Sequence, residues 1–148
     1  MSIEENQHAI IEEFSMLDGD MEMSINYVME LGQQLEGYPE DLRDSSHLVK
    51  GCQSKVWLHS SIKEGKIDLK ADSNTAITKG LVSLLIRVLT DHSPEEVLNA
   101  DIYFPEKIGM NRFIGTQRSN GFASMIKQIK MGGLGRLKVE KERREYFL

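Results

Sequence analysis

Val56-Trp57-Leu58-His59 and, past the turn Lys63-Glu64-Gly65-Lys66, the run Ile67-Asp68-Leu69-Lys70-Ala71 decide the architecture. Val56 and Leu58, then Ile67, Leu69 and Ala71, recur at every second position. Successive side chains of a strand point to opposite faces, so this spacing predicts a β-hairpin with one face against a core. Two strands cannot bury that face by themselves, and the covering layer must come from the helical patterns on either side.

Downstream, Asp72-Ser73-Asn74 offers cap-forming side chains to a helix whose broad apolar face runs through Ala76, Ile77, Gly80, Leu81, Leu84, Leu85, Val88 and Leu89. Ser93-Pro94-Glu95-Glu96 has the pattern of a capping box with proline at the first helical position, and predicts a short helix through Val97 and Leu98. A connector with Tyr103, Phe104, Pro105 and Gly109 follows. Beyond Thr116, Phe122, Met125, Ile126 and Ile129 mark a last helix ending near Met131-Gly132-Gly133.

Upstream, Ser2 and Glu5 form a capping box before an amphipathic helix with Ile3, Ile10, Ile11, Phe14 and Leu17 near one face. Asp18-Gly19-Asp20 interrupts it, and Met21, Ile25, Val28, Met29 and Leu35 predict a second helix ending near Gly37; the two are expected to pair as a hairpin. From Gly37 to Gly51 the chain is polar and aperiodic and reads as a long loop. The fold class is therefore α+β: a single domain over residues 1–131, with helices packed on a small antiparallel sheet. Residues 132–148 form a charged C-terminal tail, for which Gly132, Gly133 and Gly135 suggest a flexible hinge, although a helical extension fits the same stretch.

The 148 residues are 40% hydrophobic and 28% charged, the balance of an ordinary soluble domain, and no stretch has the length of a membrane-spanning helix. The N-terminus is acidic at once, without a basic and apolar signal region, which points to the cytoplasm. Residues 1–50 hold 12 acids against 2 bases, net −10, whereas residues 51–148 hold 16 bases against 11 acids, net +5. A net charge of −5 without a concentrated basic face argues against nucleic acid and favours a protein partner of complementary charge.

Cys52 is the single cysteine, so the chain forms no internal disulfide and no multi-cysteine metal site, and the scattered histidines supply no metal-ligand pattern. What remains is a core thiol or a reactive one. Cys52 lies between loop and strand, where neither periodicity asks for a small apolar residue, and Gly51 beside it permits unusual backbone conformations and close approach. A thiol attacks as its thiolate; Lys50 and Lys55 are the nearby cations that would favour the anion. His47, five residues earlier, is a candidate base without an identifiable orienting partner, and His59 reads as a solvent-side strand residue. Arg118, after Gly115-Thr116-Gln117, is a fixed cation for a partner carboxylate or an anionic sulfur, and Trp57 reads as a packing residue of the hairpin.

The run Val49-Lys50-Gly51-Cys52-Gln53-Ser54-Lys55-Val56-Trp57 strongly resembles the SufE family of sulfur-acceptor proteins. Glu30-Leu31-Gly32, Asp72-Ser73, Lys79-Gly80-Leu81 and Arg118-Ser119-x-Gly121 match in order, so the resemblance covers roughly Ser24 to Met131. It implies that Cys52 takes persulfide sulfur from a cysteine desulfurase, stimulating that enzyme, and delivers it to an iron-sulfur scaffold complex. It implies no cofactor bound on this chain, pyridoxal phosphate belonging to the desulfurase, and a working unit that is a monomer or a homodimer. Gly51, Gln53, Ser54, Trp57 and Asp72 are then the loop and its shelter, and Lys50, Lys55 and Arg118 the docking or persulfide-stabilising cations. Asn74 stands where many relatives carry an acid, and the tail has no counterpart. The competing readings are a non-covalent adaptor of a desulfurase or scaffold, and a thiol redox sensor or hydrolase.

Overall fold

The computed structural model describes residues 1–147, with the side chains of 136, 137, 139–141 and 143–147 left out. Helices α1 (Ile3–Ser15) and α2 (Met21–Gln33) precede the strands β1 (Val56–Lys63) and β2 (Lys66–Ser73). Helices α3 (Ala76–Leu89), α4 (Pro94–Asn99), α5 (Phe104–Lys107) and α6 (Met110–Phe147) follow. The strands pair antiparallel from Val56↔Ser73 to Lys63↔Lys66, and Glu64 and Gly65 at the turn both take the left-handed backbone (φ 52° and 78°) that two-residue hairpin loops need. Val56, Leu58, Ile67, Leu69 and Ala71 are buried, as their alternation predicts, and they meet Leu81, Leu84, Leu85 and Val88 of α3 in one core. The molecule is α+β, with six helices on a two-stranded sheet among the described residues.

Both capping boxes form: Ser2 with Glu5 opens α1 and Ser93 with Glu96 opens α4. Three expectations are corrected. First, α2 packs on α3 rather than pairing along its length with α1. A Cβ on Gly80 would stand 2.0 Å from the Val28 carbonyl oxygen, and one on Gly32 2.6 Å from the Gly80 nitrogen, so the two backbones touch. A mid-helix glycine costs about 1 kcal/mol relative to alanine, and here close backbone approach accounts for it. Helices α1 and α2 meet at side chains. The Phe14 and Tyr27 rings lie edge to face with centroids 5.2 Å apart, and Glu13 takes hydrogen bonds from Tyr27 and Arg87. Burial first, and then Glu13, push the Tyr27 hydroxyl up to about 12.

Second, α3 is not capped by Asp72, Ser73 or Asn74. Thr75 is its N-cap residue and its hydroxyl makes no capping bond. The Asp72-Ser73-Asn74 segment instead grips the chain just after Cys52: Ser73 Oγ donates to the Lys55 carbonyl (2.8 Å), the Asn74 amide donates to the same oxygen (3.2 Å), and Asn74 Oδ1 accepts from the Lys55 amide (3.0 Å).

Third, the last helix does not stop at Met131. It begins at Met110, breaks at Gly115 (φ 82°, ψ 169°), resumes at Thr116 and runs through Gly132, Gly133 and Gly135 to Phe147. These glycines mark a crossing point. A Cβ on Gly133 would lie 3.2 Å from the Pro94 carbonyl and 3.7 Å from Ile67 Cδ1, and one on Gly132 would lie 3.6 Å from Ser60 Oγ. The helix thus passes closely over α4 and the hairpin.

The loop before β1 is more ordered than its composition implies, with single 3-10 turns at Glu40–Leu42 and Ser45–His47. Buried Gln7 is a further contact with no signal in the sequence: its Nε2 donates to the Asp101 carbonyl (3.0 Å), and its Oε1 accepts from the Tyr103 and Phe104 amides (2.9 and 3.1 Å), tying α1 to the start of α5.

Candidate functional site

The Val49 amide donates to the Val56 carbonyl at 2.8 Å, and Leu48 bridges Trp57 across the same ladder. Residues 50–55 are thereby closed into a short excursion with Cys52 near its tip and the Lys55 end held by Ser73 and Asn74. Gly51 takes a left-handed backbone (φ 89°) that other residues adopt only with strain, and a Cβ there would stand 2.7 Å from Ser124 Oγ of α6. The space that Gly51 leaves is occupied by the protein's own helix.

Cys52 is half-buried against that helix. Its thiol donates to the Gly121 carbonyl at 3.5 Å, and a Cβ on Gly121 would come within 3.1 Å of the sulfur. Gly121 is therefore the dent in α6 that receives the thiol. Burial pushes the Cys52 pKa up, and a carbonyl acceptor also favours S–H over S⁻. In this conformation the cysteine is a sheltered thiol. Lys50 and Lys55, the cations expected to activate it, are exposed and do not line its cavity, so neither offsets the effect of burial on the sulfur.

Beside the sulfur is a cavity of about 60 Å³. Leu81 of α3 and Met125 of α6, both almost fully buried, form its apolar part, and Ser54 and Thr78 contribute hydroxyls. Gln53, Gln117 and Arg118 contribute exposed polar side chains. Arg118 Nη1 donates to the Ile114 carbonyl at 3.4 Å, next to the break at Gly115. The structure thus brings together Cys52, Gln53, Ser54 and Arg118, with Gly51 at the adjoining contact. Thr78, Leu81, Gln117, Gly121, Ser124 and Met125 complete the surroundings, and none of them stood among the site residues expected from the sequence. The glycine in Arg118-Ser119-x-Gly121, interior to a helix, was the available signal.

Trp57 and Asp72 lie in a different cluster. Asp72 pairs with Arg43 (2.6 Å) and Lys79 (3.3 Å), and the Arg43 guanidinium stacks over Trp57 and Tyr38 at 5.1 and 5.4 Å from the ring centroids. Burial acts to raise the Asp72 pKa, but hydrogen bonds from Arg43, the Ser73 amide and Lys79 outweigh it and hold the carboxyl below its ordinary value. This cluster clamps the 37–51 loop to the hairpin, and neither Trp57 nor Asp72 lines the cavity beside the sulfur. His47 does have an orienting partner, Asp44 (2.8 Å), but its Nε2 faces His59 Nδ1 at 3.1 Å, so the pair belongs to the loop and half-buried His59 is no solvent-side residue. Among the described residues no three His, Cys, Asp or Glu side chains converge as metal ligands, and no helix is long and apolar enough to cross a membrane.

Residues 8–132 match the family model described as SufE, the Fe-S metabolism associated domain. An uncharacterized SufE-like protein of Rhizobium meliloti is 35% identical over 133 residues, covering 86% of this chain and 94% of its own. The solution structure of a hypothetical protein from Thermus thermophilus superposes with a TM-score of 0.74 at 21% identity, covering 90% of this chain and 96% of that one, which establishes a shared fold. With the family model spanning most of its length, the chain belongs to the SufE family and thereby to iron-sulfur metabolism.

Proposed function

We propose that the chain is a covalent sulfur carrier: Cys52 accepts sulfane sulfur from the persulfide of a cysteine desulfurase, stimulates that enzyme by clearing it, and delivers the sulfur to an iron-sulfur scaffold complex. The observation that carries this reading is a lone thiol on a pinned loop, seated against Gly121 beside a cavity of about 60 Å³. A water needs about 10–15 Å³ by the same measure, so one added sulfur atom has room. Shelter suits the cargo, because a persulfide is exposed to attack by free thiols and to oxidation.

The transfer conserves electrons. The Cys52 thiolate attacks the outer sulfur of the donor persulfide; a new S–S bond forms on Cys52, the donor's S–S bond breaks, and the donor cysteine leaves as its thiolate. Pyridoxal phosphate acts on the donor enzyme before this step. Raised pKa at rest and transfer on docking are compatible when the partner draws the loop off α6, since leaving the Gly121 carbonyl and the apolar floor lifts the penalty on the thiolate and increases its fraction. In this reading Arg118, at the cavity and exposed, meets the partner or the anionic sulfur, and the exchange takes place in the reducing cytoplasm.

The test is intact-protein mass spectrometry with peptide mapping, after incubating the chain with a cysteine desulfurase and cysteine without reductant. One or more sulfur atoms on Cys52, removed by reductant and absent in Cys52→Ser, is the expected result. Stimulation of the desulfurase by Cys52→Ser as strong as by the native chain would replace the carrier with a non-covalent adaptor.

A further inference from the structure

Ser54, Thr75 and Thr78 form a hydroxyl cluster: Thr75 Oγ1 lies 3.0 Å and Thr78 Oγ1 3.4 Å from Ser54 Oγ. Three hydroxyls carry three protons, and two oxygen–oxygen contacts use two of them, so one proton is always left over. If both threonines donate to Ser54, its two lone-pair sites are filled and its own proton is free. If the chain of bonds runs from Thr75 through Ser54, the free proton is on Thr78, and if it runs the other way, on Thr75. Both Ser54 and Thr78 line the cavity beside Cys52, whereas Thr75 does not. Hydroxyl rotors change direction without backbone movement, so a negative charge in the cavity selects the arrangements that aim the spare proton at it. Thr75 also forgoes the capping bond its N-cap position offers, keeping its hydroxyl on Ser54.

We infer that Ser54, backed by Thr75 and Thr78, is the hydrogen-bond donor that holds the terminal sulfur of a Cys52 persulfide in the cavity. The inference rests on the sulfur-acceptor reading and adds a positioning residue to it. Leu81 and Met125 supply no donor, and the thiol's present partner, the Gly121 carbonyl, accepts only; Gln53, Gln117 and Arg118 carry donors but are exposed, so half-buried Ser54 and buried Thr78 are the donors on the sheltered side of the cavity. Ser54 would stabilise the persulfide anion and limit its rotation towards solvent.

The experiment loads the full-length protein in two ways, with a cysteine desulfurase plus cysteine and with inorganic polysulfide. In the second, the Cys52 thiolate attacks a polysulfide sulfur and a shorter polysulfide anion leaves. Two quantities are read on the loaded protein: persulfide lifetime under mild reductant, and the pH midpoint of persulfide ionisation from its ultraviolet absorbance. Ser54→Ala is expected to load but to lose sulfur about tenfold faster, the scale of one hydrogen bond to a charged group, with the midpoint shifted upward. Thr75→Val, which keeps the Ser54 hydroxyl and its Thr78 partner, is expected to shift the midpoint much less than Ser54→Ala. Native lifetime and midpoint in Ser54→Ala would overturn the inference, as would equal changes in both variants, which a purely structural loop role predicts. Polysulfide that fails to load native Cys52 would overturn it as well. A Ser54 effect on polysulfide-loaded protein, together with a desulfurase that never loads Cys52, would uphold the Ser54 role and remove the desulfurase from the reading.

Discussion

The crossing of α2 on α3 and the seating of the Cys52 loop on α6 both depend on missing side chains, yet they oppose different atoms. At Gly80 and Gly32 a Cβ would strike backbone, 2.0 Å from a carbonyl oxygen and 2.6 Å from a nitrogen, and neither can move without shifting a helix. At Gly51 and Gly121 it would strike the ends of side chains, Ser124 Oγ at 2.7 Å and Cys52 Sγ at 3.1 Å, which turn aside by rotation. The first contact is a fixed joint of the core. The second is a seat held by side-chain ends, and the proposed carrier role requires its occupant to leave it at delivery.

The sharpest way to break this contrast is to fill both kinds of gap with a methyl group. Gly80→Ala should cost about 3 kcal/mol by overpacking, lowering Tm by roughly 6–12 °C in thermal unfolding. Gly121→Ala should leave Tm within about 4 °C, a change of ~1 kcal/mol or less. The same variant should raise the alkylation rate of Cys52 about tenfold, equivalent to ~1.4 kcal/mol of shelter lost. A Gly121→Ala protein destabilised as far as Gly80→Ala, with its thiol no more reactive, would show that both contacts are fixed joints.

A pH profile sharpens the seat itself. Because burial raises the Cys52 pKa, the alkylation rate of the native protein should still be climbing at pH values where a small-molecule thiol has levelled off. The Gly121→Ala profile should move back towards that thiol. Superimposable profiles would mean that the Gly121 contact does not control ionisation.

The smallest expected effect concerns the clamp that positions the loop from its other side. The Asp72 carboxyl is held below its unfolded value of about 3.9, so its pairing with Arg43 and Lys79 contributes stability above that pH and loses it as pH falls towards the folded value. Trp57 is the only tryptophan and carries the Arg43 guanidinium on its face, so its fluorescence reports on the clamp. A spectral change on acidification below about pH 4 is expected in the native protein and should be absent in Arg43→Ala. Identical titrations in the two proteins would remove Arg43 from the clamp.

Local pattern carried the hairpin, both capping boxes, the interruption at Asp18-Gly19-Asp20 and the helix beyond Thr116, because each is decided by neighbours within a few residues; that this helix already begins at Met110 is not legible there. Cys52, Gly51, Gln53 and Ser54 were legible for the same reason: they are contiguous, and the run Gly51-Cys52-Gln53-Ser54 is specific. Where the glycines pointed was harder to read. Gly132 and Gly133 suggest a hinge by composition but mark where α6 crosses α4 and the hairpin, and Asp72 suggests a helix cap but is engaged with Arg43 and Lys79.

By itself the sequence determined the hairpin, helices α1 to α4 and the patterned part of α6, the family and the identity of the one thiol, since periodicity, capping chemistry and a contiguous motif are one-dimensional properties; α5 and the first turn of α6 lie in the stretch that reads as a connector. Only the tertiary structure decided that the thiol is seated against the Gly121 carbonyl, 69 positions away, that Lys50 and Lys55 stand aside, and that Ser54 and Thr78, with Thr75 behind them, gather at its cavity. The physical reason is that a pKa and a hydrogen-bond inventory depend on which atoms surround a group in space, and helices α3 and α6 bring those atoms to Cys52 from distant parts of the chain.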